Sequence, residues 1–288
     1  MNIPRTWRAN GRQAHEMSIA GALGGVFGLF FFVELVHASS IWLRDALAGA
    51  TIGGAIGFFI AAAGPFRDAA WLRLSRDATR GVLLGALGGA LGLVLGEVIL
   101  DWLRGGLIGR SLSWAILGLG IGAGLGLGPG WRPRIYHGIV GGAVGGLVGG
   151  WLFEALRARM GNRIELGQGL GIALLGGGIG LGLALTEQVL RRSWVQVVRG
   201  RQEGRAYLLT GKKTTLGLDE RAGVGLFGDA TVARQHAEIA ATGKDYILTS
   251  LAPPGRTRVN GEVVHAPWTL QDGDRIELGQ TLLLFRRR

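Results

Sequence analysis

The chain has 288 residues and a formal net charge of +11, with 54 glycines, 7 prolines and no cysteine. The lack of cysteine excludes disulfides, thiolate metal sites and a cysteine nucleophile. The glycines have neither the three-residue period of collagen nor the proline content of a disordered tract. Before about residue 190 they alternate with Leu, Ala, Ile and Val, a composition typical of tightly packed membrane helices.

Six apolar stretches in the first two-thirds of the chain approach the length that a membrane-spanning helix needs. They cover roughly residues 17–37, 45–64, 81–103, 112–129, 137–156 and 166–187. A hydrocarbon core of ~30 Å requires ~20 helical residues, and the fourth stretch is the shortest. The sequence therefore predicts an α-helical membrane bundle of about six spans within residues 1–192.

An internal repeat relates these stretches to one another. Gly-Ala-Leu-Gly-Gly at 21–25 recurs at 85–89 and, with Val in place of Leu, at 142–146. An acidic residue follows each copy at a similar offset, at Glu34, Glu97 and Glu154. The pattern predicts three glycine-rich helical hairpins.

Glycines also recur every four positions along the predicted helices. The series are Gly81, Gly85 and Gly89; Gly88, Gly92 and Gly96; Gly118, Gly122 and Gly126; and Gly141, Gly145 and Gly149. In lipid there is no hydrophobic driving force for helix association, so van der Waals contact between closely approaching backbones must stabilise it. We expect a compact glycine-zipper bundle in contact with membrane lipid, and a homo-oligomer formed through these glycine-rich faces.

The placement of arginine predicts the orientation. Thirteen arginines lie in the N-terminal arm, the loops 65–80 and 130–136 and the segment after the last span, against six in the other loops. The positive-inside rule then places both termini of a multi-pass cell-membrane protein in the cytoplasm. This rule accounts for the basic charge, so nucleic acid is not an expected partner.

The carboxylates of Glu34, Glu97 and Glu154 leave two interpretations open. Intramembrane carboxylates often mark ion or proton paths, which makes a channel or transporter component with a regulatory C-terminal domain the alternative function. In the other interpretation they lie near helix ends at the non-cytoplasmic interface and are neutralised by arginines. The arginines concerned are Arg44, Arg104, Arg157 and Arg159.

From about residue 193 the hydrophobic period changes to two, which is typical of β-strands. The predicted strands are 194–198, 205–209, 236–239, 245–248, 257–259, 274–278 and 281–285. Gly-Lys, Asn-Gly and Asp-Gly turns separate several of them. Many short strands in a segment of this size predict a β-sandwich domain over residues 193–288.

Four segments of this β-domain resemble the forkhead-associated (FHA) domain in their order and spacing. They are Leu216-Gly217 with Val224-Gly225-Leu226, then Val232–Ala237, Thr257–Gly261 and Leu270–Gly279. The resemblance implies an eleven-stranded sandwich that presents loops from one end to a phosphothreonine peptide. It also implies structural roles for Gly217, His236, Gly261, Gly273 and Asp274.

Three positions depart from the family's phosphate site. Leu218 stands where the family has a phosphate-contacting arginine, Ala233 where it has a serine, and Gly255 where it has the asparagine of Asn-Gly-Thr. Charge-assisted hydrogen bonds contribute roughly 1.5–3 kcal/mol each. Their loss predicts phosphate binding weakened by about two orders of magnitude or more.

The candidate partner-binding residues are Arg221, Arg234, Arg256, Thr257, Arg258 and Asn260. The arginines are interpreted either as solvated loop residues or as a re-routed phosphate site. The chain has no phosphate loop after a strand, no metal-ligand spacing and no Gly-X-Ser-X-Gly elbow. The predicted function is therefore a non-enzymatic, membrane-anchored module without cofactor, which docks protein partners that are either threonine-phosphorylated or unmodified.

Overall fold

The computed structural model describes residues 5–35, 40–103, 106–126, 131–160, 164–190, 193–209 and 211–288. Within these ranges six helices precede eleven strands. The helices are α1 (Arg5–Leu35), α2 (Ile41–Arg67), α3 (Trp71–Trp102), α4 (Gly106–Gly126), α5 (Trp131–Met160) and α6 (Ile164–Leu190). They form a helical unit over Gly11–Leu190, separate from the unit that contains the strands. The predicted boundary between residues 192 and 193 adjoins residues outside the described ranges and stays a prediction.

Five of the helices contain a stretch that is long and apolar enough to cross a membrane. These stretches are Gln13–Glu34, Ile41–Arg67, Trp71–Trp102, Gly138–Leu156 and Gly169–Thr186. In α4 the described apolar stretch is shorter, Ser111–Leu125. The predicted glycine-rich helical bundle is confirmed, with five helices that could cross a membrane by length and composition, and α4 is the helix on which the number of spans depends.

Glycine faces hold consecutive helices together. Gly53 of α2 packs on Gly85 of α3 so closely that a methyl group on either would overlap the other's carbonyl oxygen. Gly118 and Gly142 make the same contact between α4 and α5, and Gly145 faces Gly178 between α5 and α6. Such backbone-to-backbone approach replaces the hydrophobic drive that lipid does not supply.

The helices close into a ring. Methyl groups added to α1 at Gly24 and Gly28 would meet the backbone of α2, and at Gly21 the backbone of Gly176 in α6. The centre of the ring is filled by aliphatic side chains from α2, α4 and α6. The fully buried ones are Ile56, Leu117, Ile121, Leu175 and Ile179.

The glycine series therefore face neighbours within the same chain. Gly81, Gly85 and Gly89 of α3 cover α2, whereas Gly88 and Gly92 on another side of α3 cover α4. The homo-oligomer through glycine-rich faces and the three-hairpin repeat both stay predictions.

The β-domain is a sandwich of two sheets. Its strands are β1 (Ser193–Arg199), β2 (Ala206–Leu208), β3 (Lys213–Gly217), β4 (Val224–Gly225), β5 (Ala237–Thr242), β6 (Asp245–Ser250), β7 (Thr257–Val259), β8 (Glu262–Val263), β9 (Trp268–Leu270), β10 (Arg275–Leu278) and β11 (Thr281–Arg287). One sheet has the order β2-β1-β11-β10-β7-β8 and the other β4-β3-β5-β6-β9. The seven predicted strands and the implied total of eleven are confirmed.

The interior of the sandwich is apolar. Alternate residues of the strands point inward, as in β11, where Leu283 and Phe285 are fully buried between more exposed neighbours. Leu216, Ile239, Leu248 and Ile276 are equally buried and complete the layer between the sheets. Burial of such side chains contributes about 1.5–3 kcal/mol each, so the domain has a core of its own.

Candidate interaction site

The strand register brings five connections to one end of the sandwich, which we call the loop end. They are the β1–β2, β3–β4, β4–β5, β6–β7 and β10–β11 connections. Pairing of Leu216 with Ala237, of Ala237 with Ser250 and of Thr257 with Leu278 fixes them there. Ser193 and Arg287 pair at the opposite end.

His236 joins two loops of the loop end from inside. Its imidazole is fully buried, and Nδ1 accepts a hydrogen bond from the backbone N–H of Ala233 at 3.0 Å. Nε2 must then carry the proton, and it donates to the carbonyl oxygen of Arg256 at 3.1 Å. The side chain thus fixes the β4–β5 connection to the β6–β7 connection.

Burial lowers the pKa of His236 below its ordinary value of 6.5, and the positive charge of Arg256 lowers it further. The hydrogen bond to the Arg256 carbonyl and the charge of Asp229 oppose these effects without cancelling them. His236 is consequently neutral near pH 7, and protonating it in the folded domain is unfavourable.

Acidification is expected to destabilise the β-domain through His236. Because its pKa is lower in the folded state, the unfolded chain binds the proton first, so the stability is present above pH 6.5 and is lost below it. The loss is at most about 1.4 kcal/mol per pH unit. Urea unfolding of residues 193–288 between about pH 7.5 and 5.5 measures it. His236→Gln should flatten the profile, and equal slopes in both proteins would refute this origin.

The three positions that depart from the FHA phosphate site, Leu218, Ala233 and Gly255, carry no polar side chain. Leu218 is partly buried and packs against the core, and its N–H donates to the carbonyl oxygen of Ala233 at 3.0 Å. Gly217 lies so close to Arg234 that a methyl group would overlap its carbonyl oxygen. Gly255 is exposed with a φ of 84° and offers no side chain.

Two predicted binding residues are not available at the loop end. Thr257 is 1% exposed, and its hydroxyl shares a 2.7 Å hydrogen bond with Ser250. Asn260 lies at the opposite end, where with Gly261 it forms the turn between β7 and β8, both at positive φ. Its amide donates to Asp274 at 2.9 Å. Asn260 was predicted as a candidate partner-binding residue, whereas β7 separates it from the loop end.

Asp274 and Gly273 belong to the same far end. Asp274 accepts hydrogen bonds from Asn260 and from the N–H of Gln271 at 2.8 Å. Gly273 has a φ of 93° and donates to the carbonyl oxygen of Phe285 at 3.0 Å. These contacts hold the turn between β9 and β10.

The four predicted arginines are exposed. Arg221 lies in the β3–β4 connection, Arg234 in β4–β5 and Arg256 in β6–β7, and Arg258 lies on β7. In the described part of the β-domain none of the four forms an ion pair with a carboxylate. Their charge is therefore open to an external partner.

Asp229 is a structural residue of the loop end that the sequence did not reveal. One carboxylate oxygen accepts from the N–H and hydroxyl of Thr231, and the other from Gln280 N–H at 3.0 Å and Thr281 Oγ1 at 2.9 Å. Burial alone would raise the pKa of Asp229, but these hydrogen bonds outweigh it and lower the pKa. Asp229 thus ties the β4–β5 connection to the β10–β11 turn.

Two open grooves lie beside these contacts. One, of about 470 Å³, is lined by Arg199, Gly200, Arg201, Gly228, Asp229, Gly279, Gln280 and Thr281. The other, of about 510 Å³, is lined by Ala230, Thr231, Gly255, Arg256, Arg258, Glu277 and Gly279. They meet at Gly279, where φ is 61° and a side chain would overlap Thr231.

Comparison with known proteins identifies the β-domain. Residues 196–288 match the family of the inner membrane component of T3SS, cytoplasmic domain. A domain from a structural and functional analysis of phosphothreonine-dependent FHA domain interactions is 32% identical, with 34% of this chain and 97% of that chain covered and a TM-score of 0.31. The β-domain is an FHA-like domain.

Two further structures are similar to the FHA-like domain. The FhaA FHA domain, solved with the intracellular domain of Rv3910, is 33% identical, covering 33% of this chain and 99% of that chain with a TM-score of 0.30. The cytoplasmic domain of the T3SS sorting platform protein PscD from P. aeruginosa is 18% identical, covering 33% and 80% with a TM-score of 0.30. No significant match was found among curated proteins.

The FHA-like domain has an apolar core of its own. This core supports experiments on residues 193–288 alone. FHA-like domain families are protein-interaction modules.

The three predicted membrane carboxylates lie on three different helices. Glu34, Glu97 and Glu154 lie on α1, α3 and α5, which alternate around the ring with α2, α4 and α6. Glu34 is exposed, whereas Glu97 and Glu154 are half-buried and have partners. Arg104 and the side chain of Arg157 lie outside the described residues, so their predicted role in neutralising these carboxylates stays a prediction.

Proposed function

We propose that this chain is a multi-pass membrane protein whose cytoplasmic FHA-like domain docks a protein partner without requiring phosphothreonine. The observation that carries the proposal is the inward packing of Leu218 at the position of a phosphate-contacting arginine. A leucine held against the core supplies neither charge nor donor to a phosphate. The match to the cytoplasmic domain of an inner membrane component supports the location and a partner within a membrane-associated assembly.

Docking through the FHA-like domain is tested on the full chain in its native membrane. Deleting residues 193–288 should leave the helical unit inserted and remove the protein that co-purifies with the intact chain. Insertion is checked by alkaline extraction. Co-purification that survives the deletion would refute docking through this domain.

The phosphate preference is expected to be absent in the natural domain and to appear when the missing ligands are restored. Leu218→Arg/Ala233→Ser/Gly255→Asn should bind phosphothreonine peptides at least about tenfold more tightly than their unphosphorylated twins. Asn tolerates the positive φ of position 255. Fluorescence anisotropy with a random-flank phosphothreonine peptide pool measures both proteins.

The matched control carries Leu218→Gln in place of Leu218→Arg and should gain much less. A natural domain that already prefers the phosphorylated pool by tenfold would contradict the proposal.

The alternative of a channel or transporter component finds no supporting observation. Ile56, Leu117 and Ile121 fill the centre of the helical ring, where a hydrated path would need polar side chains. The interior that the structure describes is therefore packed, which supports the role of an anchor that holds the FHA-like domain at the membrane.

A further inference from the structure

Arginine dominates the two grooves at the loop end. Arg199 and Arg201 line one groove, and Arg256 and Arg258 line the other. All four side chains are exposed, and among the described residues of the domain none makes an ion pair. Arg199 is held by a 3.3 Å hydrogen bond from Nε to the carbonyl oxygen of Gln280, which leaves its terminal nitrogens available.

The two acidic residues of the grooves offset only part of the charge of the four arginines. Asp229 already accepts hydrogen bonds from Thr231, Gln280 and Thr281. Glu277 pairs across the strands with Arg258 and is the one other carboxylate of the two linings. The grooves therefore keep a positive potential, which attracts an acidic ligand and orients it as it approaches.

The floor of the grooves is bare backbone. Gly200 and Gly228 in one groove and Gly255 in the other present no side chain, and Gly279 is shared by both. Gly279 is fixed as glycine by its positive φ and by its contact with Thr231. Because they share Gly279, the two grooves are adjacent, and both are open enough to receive an extended peptide.

The arrangement of the arginines favours several carboxylates over one phosphate. A phosphate dianion needs donors that converge on a single point, and Leu218, Ala233 and Gly255 have removed those donors. Four guanidinium groups distributed over two grooves match charges spaced along a chain, since each can pair with a carboxylate through two parallel hydrogen bonds.

We propose that the two grooves form one binding track for an Asp/Glu-rich segment of the docked partner, bound by Arg199, Arg201, Arg256 and Arg258. This inference rests on the proposed docking function and names the chemistry of its partner. It places the contact on the β10–β11 side of the loop end, where neither Leu218 nor Ala233 lines the grooves and Gly255 contributes only backbone.

The test measures binding of a fluorescent peptide of alternating Glu and Gly to residues 193–288. Arg256→Ala/Arg258→Ala and Arg199→Ala/Arg201→Ala should each weaken binding about tenfold, the size expected when two exposed ion pairs are lost. Lys212→Ala/Lys244→Ala removes the same charge from exposed turns at the opposite end and should change affinity less than about twofold. A Gln-Gly twin should not bind.

Three outcomes would overturn the inference. The Glu-Gly peptide does not bind, the lysine and arginine double variants weaken its binding equally, or the domain binds only a phosphothreonine peptide that lacks Asp and Glu. The docking function is judged separately by co-purification with the full chain. A partner that is lost with residues 193–288 but kept by both arginine pairs would preserve docking and refute the acidic track.

Discussion

Gly53→Ala combined with Gly85→Ala is expected to destabilise the helical bundle by about 3 kcal/mol. The two glycines face each other across α2 and α3, and each added methyl group would overlap the opposing carbonyl oxygen. The obstacle is backbone, so no side chain can rotate away and the helices must separate. Overpacking of this kind typically costs about 1–3 kcal/mol per site. Unfolding in mixed detergent micelles, followed by tryptophan fluorescence, measures the change.

A matched pair of substitutions separates packing from the loss of glycine itself. In Gly54→Ala the new methyl group would lie 3.4 Å from Ala86, an ordinary contact, and at Gly169 no atom lies within 4 Å. This double variant gains the helix propensity of alanine, about 1 kcal/mol per residue, without overlap. Equal free energies of unfolding for the two double variants would show that the α2–α3 contact does not limit stability.

The helices of the membrane unit could be predicted from the sequence, but the way they close into a ring could not. Runs of apolar residues and glycine at every fourth position predict helices with bare faces, and Gly85 indeed lies on such a face. Periodicity does not say which face meets which, because any two bare faces can approach closely. The contact of Gly21 with Gly176 joins residues far apart in sequence and closes the ring, and only the structure reveals it.

The β-domain was predictable wherever strands alternate cleanly. Four strands were not predicted because they are polar or very short. β3 begins with Lys213-Thr214-Thr215, β4 and β8 have two residues each, and β9 has three. The resemblance to the family identified His236 as a structural residue. Asn260 was predicted among the binding residues although it lies at the opposite end, because an Asn-Gly pair predicts a turn but not the end of the sheet at which that turn lies. Asp229 had only the weak signal of an Asp two residues before Thr231.

His236→Ala is expected to destabilise the FHA-like domain by about 4 kcal/mol. The substitution leaves the N–H of Ala233 without its partner, at a penalty of about 1–3 kcal/mol, and leaves the carbonyl oxygen of Arg256 with only the 3.4 Å hydrogen bond from the N–H of Gly279. It also opens a cavity at a fully buried position. Urea unfolding of residues 193–288 at pH 7.5 measures the loss, and His265→Ala, at an exposed position, is the control.

The same variant links the stability of the domain to docking. His236 holds the backbone of Arg256, whose side chain lines the second groove. Asp229 connects the β4–β5 and β10–β11 backbones independently of His236, so the first groove keeps its support. At urea concentrations below its midpoint of unfolding, folded His236→Ala should therefore bind the Glu-Gly peptide more weakly because the second groove, which contains Arg256, has lost its support. If His236→Ala and His265→Ala unfold at the same urea concentration, the buried imidazole does not brace these loops.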